Sequence, residues 1–127
     1  MKNIVIAISI GELIDKITIL EIKKNYVQEE KLDNVNKELI QLKLSLQESQ
    51  IIVDQNLIEN LGKINSELWS IEDAIRLKEK ENDFNDEFIQ LARSVYIKND
   101  ERAKIKKMIN IKYSSNIIEE KSYMKYD

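Results

Sequence analysis

The chain contains no proline, and its two glycines stand at positions 11 and 62. The residues that most often end helices are thus nearly absent, so long helices are permitted almost everywhere. Apolar spacing says where they run. Leu32, Val35, Leu39, Leu42 and Leu46 recur at 3-4-3-4 intervals, and Leu57, Leu61, Ile64, Leu68, Ile71 and Ile75 at 4-3-4-3-4. Each set is one stripe of an α-helix, over residues 33–48 and 55–80. The short loop between them predicts a long antiparallel helical hairpin. Its Ile51, Ile52 and Val53 need cover, from the end of the bundle or from another subunit.

Two further helices flank that pair. Ser9 and Glu12 form an S-x-x-E capping box that starts a helix near Gly11, running to about Glu29. Leu13, Ile17, Leu20 and Val27 mark one apolar face of it, and Ile19, Ile22 and Tyr26 another. A helix apolar on two sides is expected to lie between neighbours, which obliges any buried charge among Glu12, Asp15 and Lys16 to be paired. The last helix begins near Asn85 or Asp86 and reaches Lys112. Phe84, Phe88, Leu91 and Val95 form its stripe, and Lys98-Asn99-Asp100 is a point where it bends or splits. Residues 3–10, NIVIAISI, alternate Ile4, Ile6, Ile8 and Ile10 and read as a strand. Ile117 and Ile118 in the extended tail read as a second, short one beside it. The expected fold is therefore mainly α: a four- to five-helix bundle in one domain, residues 1–127, with a minor β element from the N-terminal strand and the C-terminal tail.

Composition narrows the chemistry. Cysteine and histidine are both absent. That removes disulfides, thiol catalysis, Cys- or His-bound metals and any Ser-His-Asp triad, and leaves carboxylates, Lys, Tyr or a carboxylate-held hard cation. No run approaches the roughly 18 apolar residues of a membrane span, so a cytoplasmic protein with no membrane partner is expected. The net charge of −3 argues against a nucleic-acid partner. The one basic stretch, residues 98–112, carries six cations against Asp100 and Glu101 and reads most simply as a solvated helix face.

Three constellations stand apart from the apolar stripes. At 100° per residue, Asn65, Trp69, Glu72 and Arg76 fall within about 60° of one another, with Asp73 at the edge. Glu72 and Arg76 have favourable i,i+4 order, and a surface ion pair beside a boundary Trp is the simplest account of them. The fourth helix carries Arg93, Tyr96, Asp100 and Ala103 at helical spacing, with Asn99, Arg102 and Lys106 in an adjacent row. The chain has three arginines and uses lysine for its other cations. Arginine is favoured where a planar fork must hold a carboxylate or phosphate by two contacts, although structural bridges between helices use it the same way. The third group is acidic. Glu12 with Asp15, and Glu72 with Asp73, could hold Mg²⁺ if their helices face each other. All-α nucleoside triphosphate pyrophosphohydrolases use such an arrangement with more acids at tighter spacing.

The blocks GELIDKITILEIK (residues 11–23), LWSIEDAIR (68–76), LARSVYIKNDERAKIKKMIN (91–110) and EEKSY (119–123) together resemble an uncharacterised family of short bacterial and phage proteins, known as a domain of unknown function. The resemblance covers most of the chain, least distinctly residues 31–60, and implies a stand-alone small protein. It brings no activity, cofactor or catalytic residue. Its blocks are rich in polar residues that a bundle does not need in order to fold.

Two functional readings follow. The first is a non-catalytic binding module without a cofactor. It takes an anionic small molecule or a protein partner through a polar groove between helices, with Asn65, Trp69, Glu72, Arg76, Arg93, Tyr96, Asp100 and Arg102 as candidate contacts. The second is a divalent-metal-dependent nucleotide or phosphate-ester hydrolase using Mg²⁺ on Glu12, Asp15, Glu72 and Asp73. A homodimer is expected on the doubled apolar face of the first helix and the apolar loop.

Overall fold

The computed structural model describes residues 2–127 and contains four helices: α1 (Ile10–Lys23), α2 (Glu29–Ser49), α3 (Gln55–Lys80) and α4 (Asp86–Lys112). α1 is the hub, touching α2, α3 and α4, while α3 and α4 pack against each other along the longest interface. No helix among the described residues is long and apolar enough to cross a membrane.

The helices start where their caps dictate. Ser9 accepts from the Glu12 amide at 3.1 Å, Asp54 from Asn56 at 2.9 Å and Asn85 from Phe88 at 3.1 Å, each satisfying a donor that the first turn leaves free. α1 ends earlier than its apolar pattern predicts. The Asn25 side chain bonds the Glu21 carbonyl at 3.3 Å, and Tyr26 falls in the turn rather than in the helix. α4 runs unbroken through Lys98-Asn99-Asp100. Lys98 reaches Glu67 of α3 at 2.9 Å, and the Asn99 carbonyl oxygen is occupied by Arg102, so neither side chain competes for the backbone.

Two sequence expectations are corrected. The hairpin of α2 with α3 does not form: α2 lies only on α1, and α3 pairs with α4. Val35 and Leu39 of α2 are buried against Ile17 and Leu20 of α1, while Leu61 of α3 joins Ile14 of α1 and Ile109 of α4 in a second cluster. A heptad stripe shows that a helix has an apolar seam, not which helix fills it. The long antiparallel hairpin is α3–α4, closed by a short turn at residues 81–85 and pinned at its open end by Lys112 on Asp54 at 3.2 Å. The second correction is the β element. Neither residues 2–9 nor the tail forms a strand among the described residues, since neither pairs with a neighbouring strand. Ile4 is 91 % exposed. Of the apolar loop, Val53 is buried and Ile51 packs against the core, while Ile52 points outward.

Candidate functional site

The α1–α4 crossing brings backbone against backbone. A Cβ on Gly11 would lie 2.5 Å from the Lys106 carbonyl oxygen, so only glycine admits α4 this closely. Asn110 then accepts from the Gly11 amide at 2.6 Å, and Ser115 from the Ile10 amide at 3.1 Å. With Ser9 on Glu12, the first turn of α1 is satisfied by side chains of the same chain.

One turn along this crossing lies a buried ionic group. Lys106, 8 % exposed, donates to Glu12 Oε2 at 2.6 Å, and its ammonium stands 3.3 Å from Glu119 and 3.7 Å from Asp15. Burial alone would lower the Lys106 ammonium. The Glu12 hydrogen bond and the charges of Asp15, Glu12 and Glu119 outweigh it and hold the group above the ordinary lysine value. Burial likewise would raise the Glu12 carboxyl, but the Lys106 hydrogen bond and the charges of Lys106, Lys16 and Arg102 hold it below its usual value.

From Asp15 the network passes into α3. Asn65, 4 % exposed, donates to Asp15 Oδ1 at 2.8 Å and to Thr18 Oγ1 at 2.9 Å. Its own carbonyl oxygen is thereby turned toward α4 and accepts from Arg102 Nη1 at 3.2 Å, while Arg102 Nη2 donates to Asn99 at 2.7 Å. Arg102 is held by two neutral amides, and no carboxylate among the described residues lies within ion-pair distance of it. Half-buried, it keeps a fork of further N–H donors.

Two clefts meet at this guanidinium. The first, of about 490 Å³, opens between α3 and α4 beside Ile19, with Asn65, Trp69, Glu72, Asp73 and Arg76 on one side and Asn99 and Arg102 on the other. Tyr26 covers the Trp69 ring at 4.9 Å between centroids. Arg76 and Glu72 stand 3.7 Å apart on the rim. The second, of about 450 Å³, lies between α4 and the C-terminal segment, where Tyr96, Asp100 and Lys106 face Lys121, Tyr123 and Tyr126. Asn99 and Arg102 line both.

Of the candidate contacts, Asn65, Trp69, Glu72, Arg76 and Arg102 therefore share one cleft, and Tyr96 and Asp100 line the adjoining one with Arg102. Arg93 is exposed on α4 and joins neither. The four candidate metal-binding acids divide: Glu72 and Asp73 line the first cleft, while Glu12 and Asp15 already share a tethered cation, Lys106. Among the described residues no group of three or more acidic side chains is placed to hold a metal ion. Lys106, Thr18 and Asn110 are parts of the network that the sequence reading does not include among the site residues. Phe88, Leu91, Val95, Lys98, Arg102, Ile105 and Ile109 keep 3-4 spacing, so Arg102, like Lys98, occupies a position where an apolar residue is expected.

A model of a family of unknown function, DUF6165, matches residues 4–126. No curated protein and no solved structure matches the chain.

Proposed function

The chain belongs to this family of unknown function, and since the family lends it no activity, we propose from the geometry alone that it is a binding module for an anionic small molecule, gripped by Arg102 in the cleft between α3 and α4. One observation carries the reading. Arg102 sits at an apolar seam position, is oriented by two amide oxygens, and faces a cleft without a carboxylate partner of its own. A structural arginine between helices ordinarily closes on an acid. This one lines a cleft whose other wall carries Trp69 and a second cation, Arg76, together with Glu72 and Asp73. The buried chain Lys106–Asp15–Asn65 fixes the amide that aims it. We propose a cytoplasmic location, the expectation drawn from a sequence with no run of membrane-span length. We infer that it is a homodimer, since Ile4, Val5, Ile6 and Ile52 are left exposed in the single chain.

The test is calorimetric titration of the protein with inorganic pyrophosphate and with succinate, repeated for Arg102→Lys and Arg102→Gln. The reading predicts saturable binding of at least one of the two anions. Arg102→Lys, which keeps the charge and loses the fork, should weaken it about tenfold, and Arg102→Gln should abolish it. Absence of saturable binding of either anion, in protein that melts cooperatively, contradicts the reading. So does an affinity that both variants leave unchanged.

A further inference from the structure

We propose that the two clefts are halves of one site for a nucleotide, with the phosphates on Arg102 and the base against the tyrosines of the C-terminal segment. The inference rests on the anion reading of Arg102 and adds the chemical class of the ligand.

The first ground is adjacency. Asn99 and Arg102 line both clefts, so the arginine is placed to serve a ligand from either side. Each cleft, at about 490 and about 450 Å³, is of a size that takes a small ligand alone. Inorganic phosphate or a small dicarboxylate would use the arginine and leave both spaces largely vacant. An elongated anion with a ring at one end uses them.

The second ground is the chemistry of the wall. Residues 116–127 lie extended over α4 and none is buried, yet they bring Tyr123, Met124 and Tyr126 to the cleft. Tyr126 meets Tyr96 edge to face at 5.3 Å, and Lys121 stands 5.7 Å from the centre of the Tyr123 ring. Tyr123 is 74 % exposed and Tyr96 45 %, so aromatic surface stays open beside a phosphate-binding fork. Nucleobases stack on such rings whatever their sequence identity. Asp100, which the Tyr126 hydroxyl bonds, and Asn99 line the same cleft, where sugar hydroxyls need acceptors and donors.

The third ground is that the wall can adjust. It is held by Glu119 on Lys106 at 3.3 Å, by Glu120 on Lys107 at 2.9 Å and by the Tyr96–Tyr126 contact. Of these, the Glu120–Lys107 pair is exposed and gives way at little cost, so a ring can enter between tail and helix beyond the Glu119 anchor. A nucleic-acid strand is the less suitable occupant. Glu72, Asp73, Asp100 and Glu119 flank the path on both sides of Arg102, and the net charge is −3. One diphosphate meets one fork there, while a continuing polyanion would meet carboxylates.

The experiment titrates the full chain with ADP, UDP, adenosine and pyrophosphate by calorimetry, then repeats ADP and pyrophosphate on Tyr126→Ala, Tyr123→Ala and Tyr126→Phe. The proposal predicts that at least one nucleotide binds about tenfold or more tighter than pyrophosphate. Tyr126→Ala or Tyr123→Ala should remove that advantage while leaving pyrophosphate affinity unchanged, and Tyr126→Phe should retain it. Both tyrosines are exposed, so these variants do not threaten the core. Pyrophosphate and nucleotides binding equally, or an advantage that neither alanine variant touches, overturns the nucleotide proposal and leaves the anion reading standing. No binding of pyrophosphate or of any nucleotide overturns the nucleotide proposal, and the anion reading falls with it only when succinate fails to bind as well.

Discussion

At the scale of single residues, Gly11 and Gly62 make a controlled pair. Both are helical, and neither has a positive φ. A methyl group at Gly11 meets the α4 backbone, while one at Gly62 meets nothing within 4 Å. Gly11→Ala should therefore cost about 1–3 kcal/mol through overpacking. Gly62→Ala should gain up to about 1 kcal/mol from helix propensity and a less free unfolded chain. Urea melts of the two variants check this, and equal shifts would show that the α1–α4 approach is looser than described. Lys106 gives a second residue-scale prediction. Its folded value lies above the ordinary 10.5, so its contribution is present below 10.5 and lost as pH rises through the higher folded value. The Glu12 value lies below 4.5, so its contribution is present above 4.5 and lost as pH falls through the lower folded value. Lys106→Met should leave Asp15 buried without its cation, cost about 3–5 kcal/mol near neutrality and flatten the alkaline limb of the stability profile. Urea melts from pH 3 to 11 measure both, and an unaltered alkaline limb would contradict the assignment. Asn65 was legible in the sequence because it begins a polar stripe beside the apolar seam of its helix. Lys106 was less so, since it stands among five other cations between residues 98 and 112 and only its contacts across to α1 distinguish it.

At the scale of elements, helix existence follows from periodicity and helix pairing does not. The stripe of residues 57–75 placed α3 at Gln55–Lys80, because its seam runs uninterrupted and Asp54 caps it. The same kind of stripe on α2 predicts a pairing with α3, and the helix lies on α1 instead. Leu39 packs in one cluster with Ile17 and Leu20 of α1, a grouping that no spacing within α2 reveals. Since α2 rests on α1 alone, Leu39→Ala should cost about 2–5 kcal/mol, whereas Ile40→Ala on its open face should stay within about 0.5 kcal/mol. Comparable losses at both positions, read by denaturant melts, would mean that the outer face of α2 is covered too. The α3–α4 hairpin divides as well. Its buried residues are confined to Leu61–Leu68 in α3 and to Lys106–Asn110 in α4, both at the end nearest α1. Amides near the 81–85 turn should accordingly exchange faster than those of residues 61–68. Uniform protection along the hairpin would point to a partner on its far half.

At the scale of the whole molecule, the site is a product of the topology. α1 crosses between α3 and α4, Gly11 lets α4 close in, and the resulting polar contacts run from Glu12 through Lys106, Asp15 and Asn65 to Arg102. The sequence supplied most of the cleft's residues as separate stripes on two helices. It could not show that they meet, because that depends on α3 pairing with α4 and not with α2. The tail's place over α4 was not legible either, since its anchors are ion pairs without periodicity. The central claim, that the cleft at Arg102 takes an anion, has a built-in reporter. Trp69 is the only tryptophan and lines that cleft. Titrating the protein with pyrophosphate and succinate while following Trp69 emission is the most direct measurement. The account predicts a saturable change with one of them, present in the unaltered protein and absent in Arg102→Gln at equal thermal stability. Emission unmoved by both anions while calorimetry reports binding elsewhere, or an identical change in Arg102→Gln, would contradict it.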